Sequence, residues 1–309
     1  MNIEDLKKEL KYYLEELEDL ERSKITIKNY SANINMFIDF LIINKITELK
    51  QDNINQLLKQ YRSYLKTERN NKPSTRVRYL QEIFLFLEKL DFKINIKLPK
   101  NNHKNKKIKY LNIEEIKEVI KTIPKSRVRD KAVFQTLHRT GLRVSELANL
   151  TKQDINLNST DKAVTINIIN GKGGKDRTVY IDQETLKLIN KMIYKRTRKG
   201  KQDQTNYLFT TLNGKKQLNE RNIQHIIKKY AIATDEKLAK EHDETNYKEI
   251  LTPHTLRHSF TIYLLNNAER PINEVQKLLG HSNLATTNIY ADVGNKEIKK
   301  GYEAINWKK

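Results

Sequence analysis

A chain of 309 residues with 37% apolar and 31% charged content has the length for two domains and enough aliphatic side chains to bury a core in each, which excludes a disordered polymer. Its 59 Lys+Arg against 38 Asp+Glu give a net charge of +21, a field suited to a polyanion such as nucleic acid. With no cysteine it is without disulfides, thiolate chemistry and cysteine-ligated zinc, and with neither a long apolar run nor a signal peptide it is expected in the cytoplasm, without a membrane partner.

In chain order, Ile3, Leu6, Leu10, Tyr13, Leu17 and Leu20 recur at steps of three and four, the apolar stripe of a first helix. Its other face is acidic, with Glu4, Asp5, Glu9, Glu15, Glu16, Glu18, Asp19 and Glu21, and so turns to water or protein rather than DNA. After Ser23, the spacing of Ile27, Tyr30, Ile34, Phe37 and Leu41 predicts a second helix. Asp52 is placed to cap a third through Leu65, and Ser74 a fourth carrying Val77, Leu80, Phe84 and Leu87. These four form a helical domain over residues 1–96.

Lys97 to Lys109 hold six lysines, one proline and no acid, which reads as a basic linker over 97–109. It is either a solvated spacer or a strap that follows a DNA backbone through Lys104, Lys106 and Lys107. Residues 1–96 hold 17 basic and 15 acidic side chains, so nearly all the excess positive charge lies in the linker and in a second domain over 110–309.

That domain opens with helical patterning at 113–123, 131–139 and 144–150. The period then changes. Val164, Ile166 and Ile168 alternate, the turn Gly171-Lys172-Gly173-Gly174-Lys175 follows, and Arg177 to Ile181 alternate again, which predicts a β-hairpin. From Glu184 helices dominate. The expected fold is mainly α with a small antiparallel β-sheet.

Four stretches carry candidate chemistry. In Thr140-Gly141-Leu142-Arg143-Val144-Ser145-Glu146-Leu147 a glycine turn launches a helix whose first turn displays Arg143, a guanidinium beside free backbone N–H groups that suits phosphate; a plain ion pair with Glu146 is the structural alternative. The hairpin turn projects Lys172, with Lys175 behind it, and an ammonium there can protonate a leaving alkoxide. In Thr252-Pro253-His254-Thr255-Leu256-Arg257-His258, Thr252 suits an N-cap and Pro253 the first helical position, which puts His254 and Arg257 on one face at the positive end of a helix. His254 and His258 are spaced as two metal ligands, but no carboxylate-rich surround completes such a site, so no metal is assigned. Finally, Gly280 ends a helix before His281, Ser282 can cap a short helix, and Tyr290 lies near its end.

In this order the four stretches resemble the catalytic domain of the tyrosine recombinase family, which includes the phage integrases and Xer proteins. The arginine of T-G-L-R-x-S-E-L, the lysine of a G-K-G hairpin, the H-x-L-R-H pair, L-G-H-S and a tyrosine nine residues on correspond to Arg143, Lys172, His254, Arg257, His281 and Tyr290, with Glu146 as the accessory acid. Thr26-Ile27-Lys28-Asn29-Tyr30 and the helix after Pro73 are similar to the family's N-terminal bundle, so the likeness covers nearly the whole chain. It implies a SAM-like core-binding domain followed by an α+β catalytic domain, closing as a clamp on DNA.

The resemblance also implies the chemistry. Tyr290 attacks a backbone phosphate to form a 3′-phosphotyrosyl bond, with His254 as its base, since a phenol of pKa about 10 is scarcely ionised at neutral pH. Arg143 and Arg257 clamp the non-bridging oxygens, Lys172 is the general acid, and His281 hydrogen-bonds the transition state. No cofactor is required. Double-stranded DNA with paired half-sites, a homotetramer exchanging strands through a Holliday junction, and an accessory protein are the implied partners, and the segment from Ala291 to Lys309 is expected to dock on a neighbouring subunit. With the bundle starting at once, no extra arm-binding domain is expected, which points to a simple Xer-like enzyme on the nucleoid, for dimer resolution or for integration and excision. A type IB topoisomerase-like relaxing enzyme and a non-catalytic DNA-binding module are the alternatives.

Overall fold

The computed structural model describes residues 1–98, 108–169, 176–197, 205–239, 246–268 and 270–280. The chain divides into two units, Met1–Lys106 and Lys107–Lys309, and the described residues form a mainly α fold with one two-stranded antiparallel sheet.

The first unit holds α1 (Ile3–Asp19), α2 (Lys24–Ile43), α3 (Gln51–Thr67) and α4 (Pro73–Lys89). The Asn2 side chain accepts from the Asp5 N–H and the Ser23 hydroxyl from the Thr26 N–H, so α1 and α2 start where short polar side chains satisfy first-turn donors. Two caps differ from the sequence reading. Helix α3 begins at Gln51, with Asn53 Oδ1 accepting from the Lys50 N–H, which leaves Asp52 inside the first turn. Helix α4 begins on Pro73, whose fixed φ and missing N–H suit the first position, so Ser74 is already helical. The α1 stripe also stops early. Leu20 is the C-cap residue and is exposed, because the chain leaves the helix before that side chain comes round to the core.

Leu6, Leu10, Ile34, Phe37, Leu41, Leu58, Tyr61, Leu80 and Phe86 make this core. Tyr61 lies edge-on to Phe37 and Phe40, at centroid distances of 5.0 and 5.1 Å. A buried amide–carboxylate hydrogen bond from Asn33 to Glu82 ties α2 to α4.

The second unit is built round α6 (Val128–Thr140), which starts three residues before the predicted span. Val128, Ala132, Val133, Phe134, Gln135, Thr136, Leu137 and Thr140 are all buried, because α7 (Val144–Asn149), α8 (Gln183–Thr197), α9 (Glu220–Ala239), α11 (Pro253–Asn266) and the sheet pack round it. Helix α5 (Ile113–Thr122) and the short α10 (Tyr247–Ile250) lie on α9. Strands β1 (Ala163–Ile168) and β2 (Arg177–Asp182) pair from Ala163 opposite Asp182 to Ile168 opposite Arg177, with Val164, Ile166, Ile168, Val179 and Ile181 turned inward. Helix α12 (Ile272–Leu279) packs against α11 and β2 and ends at Gly280 in the left-handed region, φ +64°.

Candidate active site

Gly141 sets the geometry between α6 and α7. Its φ of +62° is left-handed, and a Cβ built there would lie 2.5 Å from Phe260 Cδ1 and 3.0 Å from Leu279 Cδ2, so only glycine lets α6 turn this close to α11 and α12. Two residues on, Arg143 is the N-cap of α7, one position earlier than the first-turn placement read from sequence. Its backbone N–H donates to Glu146 Oε2 at 2.7 Å, its Nη1 to Glu146 Oε1 at 2.7 Å, and its Nη2 to the Gly280 carbonyl at 3.1 Å.

Arg257 arrives from α11, whose start is as read: the Thr252 hydroxyl accepts from the Thr255 N–H at 3.0 Å and Pro253 follows at the first position. The Arg257 guanidinium is buried and donates to the Gly141 carbonyl at 2.5 Å and the Leu279 carbonyl at 2.6 Å. Both arginines therefore meet the turn that closes α12. His254 is exposed on the first turn of α11, one turn before Arg257. Half-buried His258 follows, and burial, then the nearby His254 and Arg257, lower its pKa below the ordinary histidine value.

One residue of this cluster escaped the sequence reading. Arg177, the first residue of β2, donates from Nη1 and Nη2 to the two oxygens of Glu146 at 2.9 and 2.7 Å, and from Nε to the Leu278 carbonyl at 2.9 Å. The signal was its parity. In a strand whose inward residues are Val179 and Ile181, position 177 falls on the same buried face, where an arginine needs partners. Burial raises the Glu146 carboxyl, but hydrogen bonds from Arg177 and from the Arg143 backbone and side chain, with the Arg177 charge, outweigh it and hold the group at about 2. The ion pair that was the structural alternative for Arg143 is thus present, yet it is part of a buried network rather than a solvated face.

Lys172 and Lys175 of the hairpin turn, His281, Tyr290 and the Ala291 to Lys309 segment, and Lys104, Lys106 and Lys107 of the linker lie outside the described residues. Among the described residues no group of three or more His, Asp or Glu is placed to hold a metal ion, and no helix is long and apolar enough to cross a membrane.

The first unit carries a separate basic cleft of about 310 Å³ lined by Lys59, Arg62, Ser63 and Lys66 of α3 and Arg76 of α4. No acid lines it. Arg62 Nη1 donates to the Lys97 carbonyl at 2.9 Å, and Arg76 Nε has no hydrogen-bond partner among the described residues. Helical spacing at 59, 62, 63 and 66 puts these α3 side chains on one face, a pattern the apolar stripe of that helix had masked.

Residues 109–297 match the model of the phage integrase family. Tyrosine recombinase XerA of Pyrococcus furiosus is 32% identical over 286 residues, covering 92% of this chain and 85% of its own. Tyrosine recombinase XerD of Staphylococcus epidermidis is 30% identical over 293 residues, covering 91% of this chain and 92% of its own. Among solved structures, the Tn1549 transposon integrase in complex with transposon right end DNA superposes with a TM-score of 0.68 at 18% identity, over 97% of this chain and 99% of that one, a likeness of fold.

Proposed function

Because the chain belongs to the phage integrase family of tyrosine recombinases, we propose that Arg143 and Arg257 are the phosphate clamp of its strand-transfer site and Tyr290 the nucleophile. The protein is a site-specific recombinase that cleaves and rejoins DNA. The observation that supports the clamp is the meeting of two guanidinium groups, from different helices, on the one turn after which the chain continues to His281 and Tyr290.

Each step uses a group of this chain. The Tyr290 phenol oxygen attacks phosphorus in line with the departing 5′ oxygen; an O–P bond forms as the P–O5′ bond breaks. His254, exposed on its first turn, takes the phenolic proton, and Lys172 gives one to the 5′ oxygen. Arg143 and Arg257 donate to the two non-bridging oxygens, and His281 adds a further hydrogen bond. The phosphotyrosyl ester keeps the energy of the broken bond, so a 5′ hydroxyl from a second duplex can reverse the step and reseal the strand.

DNA is the partner. Four copies on two sites, each of paired half-sites, the docking of 291–309 on a neighbour and an accessory protein complete the proposal, with action in the cytoplasm on the nucleoid. The first unit and the linker act as the core-binding part. There the cleft of Lys59, Arg62, Lys66 and Arg76 takes backbone phosphates, and Lys104, Lys106, Lys107 and Lys175 add contacts beyond it.

The test is covalent trapping on nicked duplexes with randomised half-sites, wild type beside Tyr290→Phe, on a denaturing gel. Wild type should form an adduct without added metal or nucleotide and Tyr290→Phe none. An adduct that survives the substitution rejects Tyr290 as nucleophile.

A further inference from the structure

The last three carbonyls round the end of α12 each accept from a different arginine: Leu278 from Arg177, Leu279 from Arg257 and Gly280 from Arg143. Two of these belong to the phosphate clamp. The third is turned into the protein: the Arg177 side chain is 7% exposed, and its Nε, Nη1 and Nη2 all donate to protein acceptors. The turn is shaped round it: a Cβ on Gly280 would lie 3.0 Å from Arg177 Cδ and 3.1 Å from its Nη1.

We propose that Arg177 is a positioning residue for strand cleavage. Through its paired hydrogen bonds it orients the Glu146 carboxylate, which aims Arg143. Through Nε it fixes the Leu278 carbonyl at the end of α12, the point from which the chain runs on to His281 and Tyr290. This rests on the reading of Arg143 as clamp and Tyr290 as nucleophile. A structural tie alone would affect folding; a positioning residue affects the chemical step of the folded, DNA-bound enzyme.

The experiment uses the full chain and nicked duplexes recovered by trapping with wild type. Single-turnover adduct formation is followed at protein concentrations that saturate the DNA, from pH 5 to 8, for wild type, Arg177→Met and Arg177→Lys, with DNA affinity and thermal midpoint measured in parallel. Arg177→Met should cleave about 100-fold more slowly at saturation, the loss typical of a reacting group displaced by about an ångström, with affinity nearly unchanged. It should also show a second loss of rate on the acid side, beyond the acid limb that a histidine base, His254, gives wild type and variants alike. Glu146 is faced by Arg143 from the start of α7 and by Arg177 from β2, so without Arg177 the buried carboxyl takes up a proton at higher pH and releases Arg143. Arg177→Lys keeps the charge but loses the fork, and should recover part of the rate and weaken that second loss.

If both variants, once folded and saturated, cleave at the wild-type rate with the wild-type acid profile and differ only in midpoint or affinity, the positioning role is overturned. Where Arg177→Met does not fold, Arg177→Lys decides by the same comparison. Wild type that traps no duplex from the randomised pool overturns the underlying clamp and nucleophile reading instead, an outcome read before the variants are compared.

Discussion

Glu146 is enclosed by two guanidinium groups, and its carboxyl sits at about 2 against an ordinary value of 4.5. A folded-state value below the unfolded one stabilises the protein above the unfolded pKa, and this contribution disappears as pH falls from about 4.5 toward 2. By urea unfolding, wild type should lose about 3 kcal/mol over that window through this group, the size of a shift of two to three pH units. Glu146→Gln should remove that part of the pH dependence, and at pH 7 should cost about 3 kcal/mol, since a buried guanidinium, Arg177, and a partly buried one, Arg143, lose their shared counter-charge. A Glu146→Gln profile as steep as wild type between pH 4.5 and 2 would reject this account. Arg143, Glu146 and Arg257 were singled out because their motifs, in this order, resemble those of the tyrosine recombinases, whereas spacing alone allowed a plain Arg143–Glu146 ion pair. Arg177 was not: next to a lysine-bearing turn it reads as one more surface cation, and its inward parity with Val179 and Ile181 is masked by that neighbourhood.

At the scale of elements, Gly141 is where a small change has a large effect. Gly141→Ala places a methyl group in the left-handed region and against Phe260, and should cost on the order of 2–4 kcal/mol, combining backbone strain with overpacking. The thermal midpoint checks it; a drop under 1 °C would mean that the Phe260 ring moves aside freely. Thr252→Ala should cost only about 1 kcal/mol, the usual value of an N-cap. Apolar periodicity made most helices legible, with ends resolved to a few residues. It failed where several residues compete to cap: Asp52 and Ser74 are both good caps by type, yet Asn53 reaches back to Lys50, and Pro73 claims the first position. The inward face of β1 followed from the two-residue alternation, because Val164, Ile166 and Ile168 can be buried together in only one phase, whereas the pairing register came from the structure.

For the whole molecule, the charge of +21 set the expectation of a polyanion, but composition does not say which face meets it. The cleft of the first unit is the proposed answer, in a domain whose own charge is nearly balanced: the acids gather on α1 while Lys59, Arg62, Lys66 and Arg76 converge elsewhere. Duplex binding should therefore lose about 0.9 in the slope of log affinity against log salt for each phosphate contact removed. Lys59→Ala with Lys66→Ala should lower that slope by about 2 while leaving the unfolding midpoint unchanged; an unaltered slope would place DNA on another face.

The arginine ring round the end of α12 also bears on how tightly this enzyme can hold its substrate. A free arginine gives up as much as about 2 kcal/mol of rotational entropy when it is immobilised. Here Arg143, Arg177 and Arg257 are fixed by backbone carbonyls and by Glu146 before any DNA arrives, so that loss is met during folding. With Arg143 and Arg257 as the proposed clamp, an incoming phosphate would meet two cations that no longer have to be frozen in place, leaving more of each contact to distinguish the transition state from the bound duplex.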